Sequence, residues 1–174
     1  MAFLTPEHLV RELYLKPGDR VCDIGCGTGV YTIALAQEVG VMGQVYAVDV
    51  HREALHTLAG TLDKRGIINV EMIWADAEKA IPIDAYSLDA LVISNVLFQF
   101  QKVDKALSLI SSLVKPEGQL LVVDWSDSHG GIGPHQSHVV QEEEAISLVQ
   151  KHGFRILRRL PAGAYHYAFI AINS

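Results

Sequence analysis

The sequence offers little material for disulfide bonds. Its two cysteines, Cys22 and Cys26, lie in and just after one predicted strand. The first ten residues, MAFLTPEHLV, lack the basic region followed by an apolar segment that marks a secretory signal. We therefore expect reduced thiols in a cytoplasmic chain, with Cys22 acting as a small buried hydrophobe.

Long apolar runs and clusters of positive charge are also missing. No stretch approaches the roughly 20 apolar residues that a membrane-spanning helix needs. The chain carries a net charge of -6, and no run of Lys or Arg offsets it locally. A nucleic-acid partner would lack the counterion release that drives such binding, so the composition favours a small-molecule partner.

What the sequence does contain suits one compact domain over residues 1–174, because 49% of its residues are hydrophobic. From about residue 20 to residue 125, short apolar strands alternate with helical segments. This alternation predicts βαβ units and a parallel sheet that is covered on both faces. The predicted strands read RVCDIG, QVYAVDV, VEMIWAD, LDALVIS and QLLVVDW.

The two ends of the chain depart from this alternation. Thr5-Pro6 is typical of a helix start, so a short N-terminal helix within residues 1–16 should reach about residue 15. Near the other end, a helix over 142–151 precedes FRILRRL and YHYAFIAI. The four-residue link 161–164 between these two strands demands an antiparallel hairpin.

The loop after the first strand contains three alternate glycines, Gly25, Gly27 and Gly29, and opens a helix. Such a loop lets the backbone approach a ligand and aims N–H groups at negative charge. A nicotinamide or flavin dinucleotide fingerprint would need glycine at position 30, where Val30 stands. The Gly-Lys-Ser/Thr of a phosphate-binding P-loop is absent too, and a purely structural turn remains open at this point.

Two aspartates close the strands that follow the glycine loop. Asp49 ends the second strand, 20 residues after Gly29, and its two oxygens are placed to accept from both ribose hydroxyls. Asp76 closes the third strand and can accept from the exocyclic amine of a purine, while the N–H of Ala77 donates to the ring. Either aspartate alone would commonly be a helix cap or a surface charge, but together they indicate a nucleoside site.

At this point the sequence resembles the class I S-adenosylmethionine-dependent methyltransferases, in particular their small-molecule branch similar to ubiquinone/menaquinone-biosynthesis enzymes. The resemblance covers about residues 17–125. It implies a Rossmann-like, doubly wound seven-stranded α/β sheet, mostly parallel with an antiparallel C-terminal hairpin strand. It also implies S-adenosylmethionine as methyl donor, S-adenosylhomocysteine as product and no metal. The motifs that carry it are VCDIGCGTG, VYAVDV, WADAEK, LDALVISNVLF and LVKPEGQLLVVDW.

The resemblance further implies which residues bind the cofactor. The methionine part would lie on the loop, the nucleoside at the ends of the second and third strands, and the sulfonium above the end of the fourth. In that order the residues are Asp23, Gly25, Cys26, Gly27, Thr28 and Gly29, then Asp49, Val50, Asp76 and Ala77, then Asn95 and Val96.

The methyl acceptor is less clearly indicated. The loop 126–140 leaves the carboxyl end of the fifth strand, where ligands of open α/β sheets collect, so it is predicted to cover the acceptor. A general base would then be His135 or His138, with His129 as a further candidate. The alternative is that these are solvated loop histidines, and no carboxylate–histidine spacing of a metal motif accompanies them.

Aromatic residues near the cofactor strands are predicted to wall the acceptor pocket, although they could equally belong to the core. The predicted wall comprises Tyr31, Phe98, Gln99 and Phe100, with Tyr14 and Trp125 as further candidates.

Only about 18 residues precede the first strand, fewer than the lid-forming segments of the similar enzymes. We therefore expect an open acceptor site, completed by a second subunit in a homodimer or by a bulky substrate. Two other functions remain: a catalytically silent S-adenosylmethionine-binding module, and an NAD-type oxidoreductase that Val30 disfavours.

Overall fold

The computed structural model describes residues 5–174, which contain seven strands and five α-helices. The strands are β1 (Arg20–Ile24), β2 (Gln44–Asp49), β3 (Val70–Trp74), β4 (Leu88–Ser94), β5 (Val114–Trp125), β6 (Phe154–Leu160) and β7 (His166–Asn173). The helices are α1 (Pro6–Arg11), α2 (Val30–Val39), α3 (Arg52–Arg65), α4 (Val103–Leu113) and α5 (Glu142–Lys151).

The strands form a single sheet in the order β3-β2-β1-β4-β5-β7-β6. Strands β1 to β5 pair in parallel, whereas β7 pairs antiparallel with both β5 and β6. The predicted α/β fold, with a mostly parallel seven-stranded sheet and an antiparallel C-terminal hairpin, is therefore confirmed. Chain order reverses at β1, where β2 lies on one side and β4 on the other. Open α/β sheets bind ligands at the carboxyl ends of the strands beside such a reversal.

Helices cover both faces of the sheet and create two main core layers. Successive strand residues point to opposite faces, so Val21 packs with α1 and α2 while its neighbour Cys22 packs with α4 and α5. The same alternation places Ala168 and Ile170 in the first layer and Phe169 in the second. Successive residues of β7 thus contribute to the two core layers in turn.

Two element boundaries differ from the predicted ones. Helix α1 ends at Arg11 rather than near residue 15, and Tyr14 has a φ of 48°, in the left-handed region that a helix does not tolerate. Strand β5 begins at Val114, directly after α4, and so includes Pro116, whereas the predicted strand QLLVVDW begins at residue 119. A register shift against β4 accommodates the proline, which has no N–H for a sheet ladder.

Residues 5–174 have three further properties that bear on function. No helix within residues 5–174 is long and apolar enough to cross a bilayer. In that part of the chain, no group of three or more His, Cys, Asp or Glu side chains is arranged to hold a metal ion. Cys22 and Cys26 are both buried and unpaired, and burial raises the pKa of each thiol well above its usual value.

Candidate functional site

The glycine loop lies in close contact with the segment that follows β4. Gly25 has a φ of 70°, and a Cβ placed there would lie 2.1 Å from Cγ1 of Val96. Gly27 has a φ of 53°, but a Cβ there would meet nothing within 4 Å, because it faces a cavity. The first glycine therefore permits backbone packing, and the second leaves room for a ligand.

Most N–H groups of this loop already have partners within the chain. The amides of Gly25 and Cys26 both donate to the carbonyl of Val48, and that of Gly29 donates to the carbonyl of Cys26. Few donors remain to cradle a pyrophosphate, as a dinucleotide-binding loop would. The loop suits a ligand without phosphate groups better than a dinucleotide.

Asp49 joins the end of β2 to the glycine loop. Its Oδ2 accepts a hydrogen bond from the N–H of Gly27 at 2.8 Å, and its Oδ1 accepts from the N–H of His51 at 2.8 Å. The His51 ring also lies 3.1 Å from Oδ1, but this side chain is 71% exposed and free to rotate away. A carboxylate has about four acceptor positions, so Asp49 retains capacity for a ligand's hydroxyls.

Asp23 lies at the other side of the same loop and is buried. Its Oδ2 accepts from the hydroxyl of Thr32 at 2.7 Å. Burial nevertheless raises the pKa of Asp23 to about 6, with the charge on Asp49 adding to the effect. A bound positive charge nearby would favour the ionised form of this carboxylate.

Asp76 follows β3 and faces the same region. Its Oδ1 accepts from the N–H of Glu78 at 2.9 Å, and its Oδ2 pairs with Nζ of Lys79 at 3.0 Å. These hydrogen bonds, chiefly that from Glu78, hold the pKa of Asp76 below its usual value. An ionised, pre-oriented acceptor at this position suits an amino group on a ligand.

A first cavity of about 300 Å³ brings most of these groups together at the carboxyl ends of β1, β2 and β3. Its volume is that of a small-molecule site. It contains the predicted nucleoside residues and extends to the segment after β4. Among the lining residues are Gly25, Gly27, Asp49, Val50, Asp76, Ala77, Val96, Gln99 and Phe100.

A second cavity of about 230 Å³ adjoins the first and shares Gly25 and Gly27 with it. It holds the residues predicted to bind the methionine part of the cofactor, except Gly29. The lining residues are Asp23, Gly25, Cys26, Gly27, Thr28, Val30, Tyr31, Ser94 and Asn95. The two cavities therefore adjoin each other at the glycine loop.

A third cavity of about 250 Å³ continues from the second, with which it shares Val30, Tyr31, Ser94 and Asn95. Most of its remaining wall is apolar, and one histidine is present. The residues that it adds are Pro6, Leu9, Val123, Ala162 and His166. A compound in this cavity would therefore lie next to one bound on the loop.

Asn95 occupies the junction of the second and third cavities in a strained conformation, with a φ of 56°. Its N–H donates to the carbonyl of Val123 at 2.8 Å, while its Oδ1 is buried without a hydrogen-bond partner. The next turn is fixed by Asp124, which accepts from the N–H of Leu97 at 3.0 Å. A strained residue with an unpaired buried oxygen is typical of a ligand site.

The residues predicted to wall the acceptor pocket lie in different parts of the structure. Tyr31 lines the second and third cavities, and burial raises its pKa to about 12. Gln99 and Phe100 instead line the first cavity, beside the predicted nucleoside residues. Phe98 lines none of the three, and the exposed Tyr14 ring lies under the guanidinium of Arg158.

The histidines of the 126–140 loop lie away from the cavities. His135 and His138 are exposed, and Nδ1 of His135 is 2.8 Å from the Ser137 hydroxyl. His129 is half-buried, with its Nε2 3.0 Å from the hydroxyl of Ser126. No residue of 126–140 lines any of the three cavities described above.

Sequence reasoning missed His166, the histidine that does line the third cavity. Strand alternation contained the signal, since His166 shares a sheet face with Ala168 and Ile170. Its ring packs on Trp125, with 4.4 Å between ring centroids, because the two residues are register partners in β5 and β7. That register depends on the folded hairpin and cannot be deduced from spacing.

Comparison with known proteins identifies the family of this chain. A family model described as a methyltransferase domain matches residues 15–158, which is most of the chain. The chain therefore belongs to the methyltransferase domain family, and its fold is that of the class I S-adenosylmethionine-dependent methyltransferases. The expected cofactor class is confirmed.

The chain is also similar to individual curated proteins. The chain is 36% identical over 112 residues to "Ubiquinone/menaquinone biosynthesis C-methyltransferase UbiE" of Vibrio campbellii, which covers 64% of the chain and 43% of the relative. The protein of the same name from Marinomonas sp. is 32% identical over 156 residues, or 88% of the chain and 57% of the relative. The chain thus spans about half the length of the curated relatives it matches.

A solved structure extends the similarity over nearly the whole chain. The S-adenosylmethionine-dependent methyltransferase from Aquifex aeolicus superposes with a TM-score of 0.89 at 29% sequence identity. The superposition covers 97% of this chain and 89% of that protein. The short N-terminal segment and the C-terminal hairpin therefore both fall within a known methyltransferase architecture.

Proposed function

We propose that this chain transfers the methyl group of S-adenosylmethionine to a small-molecule acceptor that binds in the third cavity. The observation that carries the proposal is that neighbouring cavities share wall residues. Gly25 and Gly27 join the first to the second, and Tyr31 and Asn95 join the second to the third. Donor and acceptor would therefore meet beside Asn95.

The residues present fit the cofactor. The ribose would bind Asp49, and the adenine would lie against Val50 and between Asp76 and Ala77 in the first cavity. The open space at Gly27 would admit part of the ligand. In this arrangement Asp76 accepts from the adenine amine, because its carboxylate is already held in the ionised form.

The methionine part would occupy the second cavity, between Asp23 and Asn95. Cys26, Thr28 and Gly29 belong to the loop beside it, and Val96, which lines the first cavity, packs against Gly25. S-Adenosylmethionine supplies an electrophilic methyl group on a sulfonium. The unpaired Oδ1 of Asn95 would place partial negative charge beside that cation.

The protein's main contribution to the rate is then proximity and the exclusion of water. A well-aligned pair of bound reactants gains several kcal/mol relative to reactants that meet in solution, about 7–11 kcal/mol in favourable cases. Tyr31 and Asn95, shared by the two cavities, would align the acceptor with the donor.

The acceptor we propose is a small ring compound. The wall of the third cavity is mostly apolar, and its volume of about 250 Å³ suits one ring better than an extended chain. The name of the curated relatives describes a C-methyltransferase, which supports carbon as the acceptor atom. A second copy of the chain, closing the outer side of this cavity, remains part of the proposal and would appear as a dimer in light scattering.

The experiment that tests the proposal is a transfer assay with methyl-labelled S-adenosylmethionine and a metabolite extract. We expect one labelled small molecule with the wild-type chain and none with Asp49→Ala, which should not hold the donor. Tight binding of S-adenosylhomocysteine without any labelled product would instead favour a silent binding module. A change in NADH fluorescence without a thermal shift by S-adenosylhomocysteine would favour the oxidoreductase.

A further inference from the structure

Trp74, the last residue of β3, exposes its indole beside the proposed adenine site. The residue is 58% exposed, although tryptophan is on average a well-buried residue type. Its ring is nevertheless held in place. The Nε1–H donates to the carbonyl of Val50 at 2.9 Å, and the guanidinium of Arg52 lies over the ring, 3.7 Å from its centroid. The end of β3 therefore presents a fixed, exposed aromatic surface.

This indole lines a groove of about 460 Å³ that adjoins the first cavity. Val50, Ala75 and Asp76 line both the groove and the cavity. The residues that the groove adds are mostly apolar, namely Trp74, Lys79, Ala80 and Pro82. Arg52 does not line the groove, so the exposed part of the indole is available to a ligand there. The volume is sufficient for an aromatic ring.

The segment after β3 forms another wall of the groove as a closed turn. The N–H groups of Lys79 and Ala80 donate to the carbonyl of Asp76 at 2.9 and 3.1 Å, and Nζ of Lys79 pairs with Oδ2 of Asp76 at 3.0 Å. Asp76 is also the proposed acceptor for the adenine amine in the first cavity. A substituent on that amine would therefore leave the adenine where the first cavity adjoins the groove.

We propose that the donor site extends into this groove, so that the chain binds S-adenosyl ligands whose adenine amine carries an arylmethyl group such as benzyl. The proposal rests on the adenine placement argued above and specifies the class of cofactor that the same site accepts. A singly substituted amine keeps one N–H, which still donates to Asp76. The aryl ring packs on Trp74, and the charges of Asp76 and Lys79 already pair with each other.

The substituent lies away from the reacting atoms in this arrangement. The sulfonium would lie in the second cavity, which shares no lining residue with the groove. Binding energy gained at a non-reacting group is the same in the ground state and the transition state, so it lowers KM and leaves kcat unchanged. We therefore expect N⁶-benzyl-S-adenosylmethionine to donate its methyl group with the kcat of S-adenosylmethionine and a lower KM.

Calorimetric titration tests the groove without any need for turnover. We expect the wild-type chain to bind N⁶-benzyl-S-adenosylhomocysteine about three- to tenfold more tightly than S-adenosylhomocysteine, the effect of one aromatic pair. Trp74→Ala should abolish this preference, whereas Trp74→Phe keeps an aromatic face and should retain part of it. Met72→Ala is the matched control, because Met72 is exposed on the same face of β3 and does not line the groove. It should keep the wild-type ratio of the two affinities.

The indole N–H signals of the ¹⁵N-labelled wild-type protein locate the benzyl ring directly. The chain has two tryptophans, and Trp125 ends β5, four strand spacings or about 19 Å from β3. Between the complexes with S-adenosylhomocysteine and with its N⁶-benzyl derivative, the Trp74 signal should shift and the Trp125 signal should not. Trp125→Phe assigns the two signals. The wild-type spectra decide the question even if Trp74→Ala fails to fold.

The outcomes separate this inference from the proposed function. Equal or weaker binding of the benzyl compound, an unchanged Trp74 signal, or a preference that survives Trp74→Ala would overturn the inference and leave the donor site intact. A dimer in light scattering that Trp74→Ala converts to a monomer would assign the indole to a contact between two copies of the chain, and would overturn it as well. A wild-type chain that binds neither compound would overturn the proposed function, and the inference with it.

Discussion

The carboxylate of Asp49 accepts a hydrogen bond from the backbone N–H of Gly27 at 2.8 Å, so the end of β2 holds the glycine loop directly. Asp49 therefore shapes the loop before any ligand arrives, in addition to its proposed contact with the ribose. Asp49 is buried at the wall of the first cavity. Its one side chain would therefore serve both roles.

Asp49→Ala should weaken binding of S-adenosylhomocysteine by about 100-fold or more. The change removes the proposed ribose acceptor and leaves the N–H of Gly27 without its partner, and each hydrogen bond to a charged group is worth about 1.5–3 kcal/mol. Calorimetric titration measures the loss directly. Asp49→Asn keeps one acceptor oxygen and should give an intermediate affinity, whereas near-normal affinity of the alanine variant would contradict the ribose assignment.

Gly25→Ala should lower the free energy of unfolding by about 2–4 kcal/mol, because the new Cβ would lie 2.1 Å from Cγ1 of Val96 at a φ of 70°. Gly27→Ala is the matched control: its φ is also positive, but open space surrounds the new methyl. We expect that variant to lose only about 1 kcal/mol of stability and to bind cofactor poorly. Urea unfolding separates the two effects.

The double variant Gly25→Ala/Val96→Ala tests whether the clash is the cause. Removing the valine methyls should recover part of the stability lost in Gly25→Ala, so the two changes should not be additive. Additive losses would mean that backbone strain at position 25, rather than contact with Val96, determines the cost.

Much of this site could be predicted from the sequence, because the positions of strand ends depend on local sequence patterns. Asp49 and Asp76 were located by their positions at strand ends, and the structure places both on the first cavity. Strand ends are fixed by short apolar runs, which the sequence shows directly. Gln99 and Phe100 were expected beside the acceptor but line the first cavity, because the short helical turn Leu97–Gln99 directs the chain back across it.

The acceptor side could not be derived in the same way. His166 reaches its cavity through the pairing of β5 with β7, which joins residues about 40 positions apart. The loop histidines His135 and His138 were candidates because their loop leaves the carboxyl end of β5, with solvated loop histidines as the alternative. The folded structure distinguishes these two histidines from His166. Both loop histidines are exposed, whereas Nε2 of His166 is buried.

The stability of the protein should depend on pH through Asp124. Burial raises the pKa of this carboxyl from 3.8 to about 6, so between about pH 4 and pH 6 the folded state binds a proton that the unfolded state does not. The resulting stabilisation is fully present below pH 4 and is lost as the pH rises through 6. Asp23 contributes with the same sign, because its pKa is also raised to about 6.

Asp124→Asn isolates this contribution, since every other titrating group is common to both proteins. The free energy of unfolding of wild type, minus that of the variant, should fall by about 1–3 kcal/mol between pH 4.5 and pH 7.5. Urea unfolding at several pH values gives the difference. A difference that stays constant with pH would show that Asp124 has the same pKa in the folded and unfolded states.

Asp76 should determine the choice of purine. Its carboxylate is ionised and oriented by the N–H of Glu78, so it can accept from the amine of adenine but repels the carbonyl oxygen of hypoxanthine. We expect the wild-type chain to bind S-adenosylhomocysteine at least about tenfold more tightly than S-inosylhomocysteine, which differs at that one group. In Asp76→Asn the side-chain amide can donate as well as accept, so the preference should shrink because adenine binding weakens more than hypoxanthine binding. Glu78→Gln is the matched control, because residue 78 lines the same cavity and the variant keeps its backbone N–H. This control should preserve the ratio of the two affinities. An unchanged ratio in Asp76→Asn would instead place the adenine amine elsewhere.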